Sequence, residues 1–406
     1  MIKFTFRALR SANYRLFFFG QGTSLIGTWM QRIATSWLVY RLTGSPVLLG
    51  VSGFASQIPT FLLAAVAGVF ADRWNKKNVL LITQVLALLQ ALVLAFLVIS
   101  GMIRVWEIIA LNVVLGIINA FDIPTRQSFV VEMVENRDDL GNAIALNSSL
   151  VNGARLIGPS LTGILITSVG EGICFILNGA SYIFIIWALL LMKVKEKRKL
   201  EGKNKGVINE FREGFTYIFG SVSIRSIILL LALVSLLGMP YQVLMPIFAK
   251  EVLHGGPHTL GFLMGSAGLG AMFAAFFLAS KKTGESLRKY IIISAVIFGS
   301  GLIAFSFSKN FWVSVFFLLI TGFGMMLQMA SSNTILQLAV DDDKRGRVMA
   351  FYTMAFMGMA PFGSLLAGSL AGLIGAPNTV MLGGILCIAG AYISSKNISH
   401  TAVKND

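Results

Sequence analysis

The chain has 406 residues, of which 56% are hydrophobic and only 13% are charged, and its mean hydropathy is +0.78. Soluble globular chains carry about 25% charged residues, so this composition excludes an ordinary soluble domain. The net charge of +15 does not indicate nucleic-acid binding, because most of the 33 Lys and Arg residues lie in short loops beside apolar segments. We therefore expect an integral membrane protein without a nucleic-acid partner.

The amino-terminal stretch MIKFTFRALRSANYRLFFFG places basic residues before an apolar run, as a signal peptide does. The apolar region continues past Trp29 and Arg32 to Tyr40, and no small-x-small pattern closes a short core. We expect an uncleaved first span behind a basic, partly amphipathic approach.

Long apolar runs, separated by charged or Pro- and Gly-containing turns, predict twelve transmembrane helices that can cross a hydrocarbon core of about 30 Å. We expect an all-α integral membrane protein with two pseudo-symmetric six-helix bundles. Lys and Arg concentrate in the amino-terminal arm, the loops after even-numbered helices and the tail, so the positive-inside rule predicts that both termini are cytoplasmic. The predicted helices are 15–41, 46–71, 78–101, 105–133, 140–169, 172–192, 224–250, 259–280, 287–308, 311–338, 346–374 and 378–395.

The longest polar interruption, KVKEKRKLEGKNKGVINEFREGF from Lys193, divides the predicted bundles 1–192 and 224–406. We expect this linker, 193–223, to be cytoplasmic, with its basic part against anionic lipid headgroups. For its first ten residues a simply solvated linker is an equal alternative. Apolar side chains at helical spacing in its second part predict an interfacial helix, namely Val207, Ile208, Phe211, Phe215 and Ile218.

The two halves match each other at constant offsets. Gly116 and Val134 correspond to Gly322 and Val340 at an offset of 206, and four further positions correspond at an offset of 205. These four pairs are Gly141 with Gly346, Ala145 with Ala350, Gly158 with Gly363 and Gly163 with Gly368. A duplicated chain of this kind is typical of a secondary transporter, whose site is expected near the middle of the membrane between the repeats.

The loop after predicted helix 2, GVFADRWNKK, resembles the G-x-L-A-D-R-x-G-R-K loop of the major facilitator superfamily, and the resemblance extends over nearly the whole chain. The superfamily fold of twelve helices follows from this resemblance. Asn75 stands where the family pattern has its second Gly, which predicts a looser turn. The matching residues are Gly68, Ala71, Asp72, Arg73, Lys76 and Lys77.

A second element, GARLIGPSLTG, is similar to the helix 5 motif of exporters in the superfamily. Its matching residues are Gly153, Gly158, Pro159 and Gly163; ordinary packing of small residues between helices is the alternative explanation. With NYRLFFFGQGTSLIGTWMQ and WLVYRLTGSP, it resembles the branch that includes the enterobactin exporter and macrolide efflux proteins. Asn112 stands where proton-coupled exporters often carry Arg, and this departure weighs against proton coupling through that position.

Ionisable residues inside the predicted spans are costly and are therefore functional candidates. They are Arg32, Asp122, Arg126 and Arg155, all in the first half. Asp122 lies about 22 Å into predicted helix 4, towards the cytoplasmic mouth. Two arrangements are open: a local ion pair with Arg126, four residues further on, or a contact with Arg155 or Arg73.

Together these placements suggest a conformational latch at the cytoplasmic mouth. In this hypothesis the loop residues Gly68, Asp72, Arg73, Lys76 and Lys77 act with Asp122 and Arg126 and with the start of helix 11. Such contacts exist only while that mouth is closed, so they bias the balance between inward-open and outward-open states. The alternative is that the basic residues serve membrane topology alone.

We expect a substrate cavity lined by a few polar groups and by adaptable apolar walls. Two Arg against one Asp favour an anionic or neutral amphiphile over a cation. Met side chains suit varied ligands, although gap filling between helices explains many of them equally well. The predicted cavity residues are Trp29, Gln31, Arg32, Asn119, Arg155, Met325, Met329, Tyr352 and Met357.

The expected function is secondary active export of amphiphilic small molecules by alternating access, with Asp122 or Glu132 as the proton-coupling carboxylate. No P-loop is present, so a proton or other ion gradient supplies the energy and no cofactor is expected. Metal binding is not expected from the two cysteines, Cys174 and Cys387. The resemblance implies a protein that acts as a single chain, and we expect it in the plasma or inner membrane. The sequence contains no H-E-x-x-H motif, no G-x-S-x-G motif and no deep pair of carboxylates with a nucleophile, so we do not expect an enzyme. A facilitator, an importer, a lysophospholipid flippase and a non-transporting receptor are the alternatives.

Overall fold

The computed structural model describes residues 6–193, 207–281 and 286–398, and these residues are almost entirely helical, without a β-strand. The first half contains α1 (Ala12–Thr43), α2 (Pro46–Arg73), α3 (Lys76–Ile99), α4 (Val105–Met133), α5 (Leu140–Val169) and α6 (Glu171–Leu191). The second half contains α7 (Val222–Val252), α8 (Pro257–Ala279), α9 (Ser286–Phe307), α10 (Phe311–Ala339), α11 (Asp342–Thr353, Met354–Gly358 and Met359–Ile374) and α12 (Ala376–Ile398). A linker helix, Val207–Gly220, precedes α7, and a short 3-10 turn, Arg7–Arg10, precedes α1.

Eleven of these helices are long and apolar enough to cross a membrane. The first, α1, is not among them, although its 32 residues exceed the length that a bilayer needs. Its middle carries Gln21, Gln31 and Arg32. These polar side chains lower the hydropathy of α1, although its length is sufficient for a span.

Glycines with positive φ end several helices, since a left-handed residue closes a helix without steric cost only when it lacks a Cβ atom. Gly44 follows α1 with φ of 61°. Gly170 follows α5 with φ of 82° and Gly375 follows α11 with φ of 83°. The last two are 205 positions apart, so the same turn closes the same helix of each repeat.

Two helices of the second half contain π-helical turns, at Val234–Gly238 and Phe248–Val252 in α7 and at Met354–Gly358 in α11. A π turn shifts the hydrogen-bond ladder and leaves carbonyl groups to be satisfied elsewhere. The Ser235 hydroxyl donates to the Phe356 carbonyl. One π turn of α7 is thereby joined to the π turn of α11.

The chain divides into two compact units. Unit 1 consists of Met1–Gly44, Ala55–Leu200 and Gly255–Gly265, and unit 2 of Ser45–Phe54, Glu201–His254 and Ser266–Asp406. In unit 1, α1 packs against α5 and α6, and α3 packs against α4 and α6. In unit 2, α9 packs against α10 and α12, and α7 packs against α12.

Repeat-related glycines allow equivalent helices to cross closely. A Cβ atom at Gly116 would lie 2.8 Å from the Ser56 carbonyl oxygen, where α4 crosses α2. Its counterpart Gly322 makes the matching approach of α10 to Ala267 of α8. The constant offset therefore corresponds to a repeated helix crossing, and not only to repeated composition.

The same holds for α5 and α11. Gly158 packs on Trp29 of α1, and its counterpart Gly363 packs on Leu236 and Pro240 of α7. Two further pairs approach each other through glycines on both sides, Gly163 with Gly261 in unit 1 and Gly368 with Gly50 in unit 2. Close backbone approach through small residues is how helices associate when lipid removes the hydrophobic driving force.

We call the end at which odd-numbered helices begin the inner end. There, the segment before α1 binds the loop between α4 and α5. The Arg7 guanidinium lies 3.1 Å from an Asp139 carboxylate oxygen, and the Glu135 backbone N–H donates to the Ser11 hydroxyl over 3.2 Å. The Ala8 N–H donates to the Asn142 side chain over 3.0 Å. These contacts form the first inner brace, residues 7–11.

The linker helix makes the corresponding contacts in the second half. Glu213 lies 2.7 Å from Arg347, and Tyr217 lies 3.4 Å from an Asp341 carboxylate oxygen. Glu213 and Tyr217 follow Arg7 and Ser11 by 206 positions, and Asp341 follows Glu135 by the same interval. The linker helix is therefore the second inner brace, and the duplication includes the segment before each bundle.

The linker helix is predicted to lie at the membrane interface through five apolar side chains, of which the structure describes only two. The side chains of Val207, Ile208 and Phe211 lie outside the described residues. Phe215 and Phe219 are exposed and stack with ring centroids 4.2 Å apart, whereas Ile218 is buried. The described part of this helix thus presents a stacked aromatic pair on its outer face.

Candidate functional site

The loop that resembles the superfamily motif joins α2 to α3 at the inner end. The side chains of Gly68, Asp72 and Arg73 lie outside the described residues, so their share in the predicted latch stays a prediction. The expectation that Asn75 loosens the turn is wrong. Its side chain accepts from the Asn78 N–H over 3.1 Å and caps α3, because Asn is among the preferred N-cap residues.

The two lysines of the motif bind two different helices. Lys76 Nζ lies 2.6 Å from Glu132 near the end of α4. Lys77 Nζ donates to the Met192 carbonyl over 2.8 Å at the end of α6, where an ammonium group also opposes the negative end of the helix dipole. Glu132 is therefore engaged in an ion pair at the inner end, apart from the buried carboxylate of α4.

Asp122 of α4 is that buried carboxylate, and its side chain lies inside unit 1. One carboxylate oxygen accepts from Gln84 Nε2 over 2.7 Å and from the Thr83 hydroxyl over 3.1 Å, both on α3. The other oxygen lies 3.3 Å from the Arg126 guanidinium. Of the two arrangements open from the sequence, these contacts realise the local pair of Asp122 with Arg126.

A second polar layer lies further towards the opposite end and contains Gln31. Its amide donates to Gln90 over 2.9 Å and accepts from Asn178 over 2.6 Å, and Gln90 donates to the Leu111 carbonyl. Gln31 is only 2% exposed. The layer joins α1, α3, α4 and α6, so Gln31 holds the bundle together in this structure, and its role in a substrate cavity stays a prediction.

The opposite face of α1 carries Trp29 and Arg32. The Arg32 guanidinium carbon lies 5.2 Å from the centroid of the Trp29 ring, and the Arg155 guanidinium carbon of α5 lies 5.7 Å from the same centroid. Both distances fall within the range of a cation–π contact. Three of the predicted cavity residues are thus brought together as one cluster, which we call the Trp29 cluster.

The helix 5 motif packs against this cluster through Gly158. A Cβ atom at Gly158 would lie 2.5 Å from the Trp29 Cβ atom, so α5 approaches α1 here only because residue 158 is Gly. Pro159 follows inside α5 and cannot donate a backbone hydrogen bond to the Arg155 carbonyl. A Cβ atom at Gly153, by contrast, would meet no atom within 4 Å among the described residues.

The remaining predicted cavity residues are spread over both units. Asn119 is partly buried in α4 of unit 1. Met325 is fully buried in unit 2, so it packs the unit and is not an exposed wall. The Tyr352 hydroxyl donates to the Met329 carbonyl over 3.2 Å and joins α11 to α10, whereas Met357 is 44% exposed in the π turn of α11.

A polar group in α10 was not predicted from the sequence. Gln328, Ser331 and Ser332 are buried, and their side-chain polar atoms have no hydrogen-bond partner among the described residues. They follow Asp122, Thr125 and Arg126 by 206 positions. The offset already found for Gly116 and Gly322 was the signal that would have identified them as the counterpart of the Asp122 site.

Comparisons with known proteins agree with this architecture. A family model described as "Transmembrane secretion effector" matches residues 4–403. The Staphyloferrin A transporter of Staphylococcus aureus is 25% identical over 388 residues, covering 93% of this chain and 95% of the relative. The multidrug efflux pump Tap of Mycolicibacterium fortuitum is 20% identical and covers 89% of each chain. The crystal structure of a D-xylose-proton symporter superposes with a TM-score of 0.73 at 15% identity, covering 98% of each chain.

Proposed function

Since the chain belongs to the transmembrane secretion effector family of major facilitator transporters, and is therefore a multi-pass secondary transporter, we propose that it exports amphiphilic small molecules across the cell membrane in exchange for protons. The observation that supports this proposal is the buried Asp122 site. Burying a carboxylate inside a membrane protein costs free energy, so ionisable residues at such positions are expected to have a function. The chain is similar to a protein named Staphyloferrin A transporter and to another named multidrug efflux pump Tap.

Asp122 is suited to proton coupling because its partners depend on its charge. All three neighbours, Thr83, Gln84 and Arg126, donate to the carboxylate. Proton uptake by Asp122 would weaken the ion pair with Arg126 and the charge-assisted bonds from Thr83 and Gln84, which share one carboxylate oxygen. In the proposal this change in contacts biases the equilibrium between conformations, and proton release restores it.

The wider proposal follows the same family. The protein acts as a single chain of the plasma or inner membrane, without cofactor or enzymatic activity, and takes its energy from the proton gradient. Anionic lipid headgroups contact the basic linker at the cytoplasmic face. The latch joins Gly68, Asp72, Arg73, Lys76 and Lys77 to the Asp122 site, and Glu132 is the second coupling candidate. The Asp122 side chain is 5% exposed and the Glu132 side chain 20% exposed, so its deeper burial favours Asp122 over Glu132 for coupling.

The same fold also supports a facilitator, an importer or a lysophospholipid flippase, since topology does not fix direction. No contact described above favours these functions. They predict transport that does not depend on a protonophore or on Asp122.

The test is accumulation of labelled amphiphiles, including a catecholate siderophore and a macrolide, in efflux-deficient cells. Wild type, Asp122→Asn and the control Arg104→Gln, an exposed position, are compared with and without a protonophore. The proposal expects lower accumulation with wild type and with Arg104→Gln, and loss of that effect with protonophore or with Asp122→Asn. Unchanged accumulation for every compound would contradict export, and export insensitive to protonophore and to Asp122→Asn would contradict coupling.

A further inference from the structure

We propose that Trp29, Arg32 and Arg155 form a binding subsite for the carboxylate group of an amphiphilic organic anion. The inference rests on the proposed transport function and names the chemistry of its substrate. It is carried by one geometric fact: two guanidinium groups from different helices lie on the same indole ring, at 5.2 and 5.7 Å from its centroid.

Arg32 and Arg155 carry like charges on one indole ring, and like charges repel each other. A carboxylate that both guanidinium groups contact adds two attractions. Guanidinium groups also match the geometry of a carboxylate, which accepts two parallel N–H bonds from one Arg. The Trp29 cluster therefore gains more from an anion than from a neutral or cationic ligand.

Three described carboxylates of the same unit are engaged elsewhere. Asp122 pairs with Arg126, Glu132 with Lys76 and Glu171 with Arg41. Arg32 forms no salt bridge with any of the described carboxylates. The unit thus leaves positive charge on the face of α1 that carries Trp29.

The position of Arg32 makes that charge available to a ligand. Arg32 is exposed, and it lies eleven residues before the end of α1, about 17 Å from that end along the helix. A charged group at such a depth does not face lipid; it faces water or a partner inside the protein. Gln31, its neighbour in the sequence, points the other way and is bound to Gln90 and Asn178.

The subsite is also held in place before a ligand arrives. Gly158 packs on the Cβ atom of Trp29, so α5 fixes the indole and carries Arg155 one turn away. A guanidinium that already rests on an aromatic face loses less freedom when it binds an anion. The rest of the indole offers an apolar surface for the body of an amphiphile.

The experiment uses three fluorescent probes with one apolar body: pyrenebutyrate, its methyl ester and pyrenebutylamine. Binding to the purified full chain is measured by fluorescence anisotropy in a mild detergent, corrected against empty micelles. The variants are Arg32→Gln, Arg155→Gln and Arg32→Lys. Arg104→Gln removes the same side chain at an exposed position and is the matched control.

We expect wild type and Arg104→Gln to bind pyrenebutyrate at least about tenfold more tightly than the ester or the amine, since one charge-assisted hydrogen bond accounts for a factor of that size. Arg32→Gln and Arg155→Gln each remove about tenfold from pyrenebutyrate affinity and leave ester binding unchanged. Arg32→Lys retains part of the preference for pyrenebutyrate, because Lys keeps the positive charge but cannot donate two parallel N–H bonds to a carboxylate. Without ligand, both Gln variants unfold at the same or a higher temperature than wild type, because one of the two repelling charges is gone.

Equal binding of acid and ester, or Gln variants that bind pyrenebutyrate like wild type, would overturn the subsite. So would a lysophospholipid that binds with dependence on both Arg residues while pyrenebutyrate does not bind. The accumulation assay separates this outcome from failure of the proposed function. Proton-dependent export of a neutral macrolide without carboxylate binding contradicts only the subsite, and carboxylate binding without any export contradicts only the exporter.

Discussion

Gly158 of α5 and Trp29 of α1 pack so closely that a Cβ atom at residue 158 would lie 2.5 Å from the Cβ atom of Trp29. The exporter-like motif therefore has a direct structural consequence at one of its glycines. Gly153, the first residue of the same motif, meets no such neighbour among the described residues. Close packing of α5 on α1 thus requires a glycine at position 158 of the motif but not at position 153.

We predict that Gly158→Ala lowers the free energy of unfolding by about 1–3 kcal/mol, the cost of overpacking, and reduces transport. Gly153→Ala makes the same chemical change and is neutral or stabilising by about 0.5–1 kcal/mol, because Ala is a better helix former. Denaturant unfolding in detergent and the accumulation assay measure both effects. A Gly158→Ala variant as stable and active as wild type would show that α5 yields easily at Trp29.

The buried amide layer gives a second prediction. Gln31→Leu leaves Gln90 and Asn178 without a shared partner, at a cost of about 1–3 kcal/mol for each unsatisfied polar group. We expect lower stability with an unchanged order of substrate preference. Replacing all three residues by Leu recovers part of the loss, since Gln90 and Asn178 are then no longer buried amides that lack the Gln31 partner. If Gln31→Leu instead altered which amphiphiles are exported, the placement of Gln31 inside the bundle would be contradicted.

The repeat-related residues Asp122 and Gln328 predict opposite responses to the same substitution. Asp122→Leu removes a carboxylate that three groups contact and leaves Arg126 half-buried without its partner, so stability falls by about 3–5 kcal/mol. Gln328→Leu removes an amide that has no partner among the described residues, so stability is unchanged or rises. Unfolding midpoints of the two variants test the contrast. A large loss with Gln328→Leu would mean that ordered water completes the α10 site.

The second inner brace predicts a charge-swap result. Arg347→Glu places two carboxylates opposite each other, so we expect faster hydrogen–deuterium exchange in the linker helix and at the start of α11. Glu213→Arg combined with Arg347→Glu restores the slow exchange. The ion pair is partly exposed and contributes no more than about 1 kcal/mol, so global stability changes little. Lys289→Glu, at an exposed position of α9, is the control, and equal exchange in all variants would exclude this contact as a brace.

Much of the fold followed from the sequence because long apolar runs and their charged interruptions reflect the bilayer directly. Every predicted helix has a counterpart in the described residues, and the all-helical fold is confirmed. The sequence did not determine the surroundings of side chains that have two possible sets of neighbours. Gln31 and Arg32 are adjacent in the sequence, yet one is buried among amides and the other is exposed, and only the rotation of α1 in its bundle decides which.

The partners of the candidate site were the least predictable part. Hydropathy identified Asp122 and Arg155 as charges that are costly to place inside a membrane span. It does not give the helix-crossing geometry that brings Gln84 to Asp122 and Trp29 to Arg155. The family pattern at position 75 predicted a looser turn, whereas the capping chemistry of Asn75 itself predicts the observed helix start. The inner braces were detectable from the repeat offset, since Glu213 follows Arg7 by 206 positions.

The two inner braces use opposite charge orders: Arg7 meets Asp139 in the first half, and Glu213 meets Arg347 in the second. A duplicated chain must avoid mispairing during synthesis, when the first half is complete before the second has emerged. At the offset of 206 positions, Asp139 of the first loop corresponds to Arg345 of the second, two residues before Arg347. The first loop therefore offers Glu213 a carboxylate where its own loop carries guanidinium groups, so the reversed charge order disfavours docking of the linker helix on the first half.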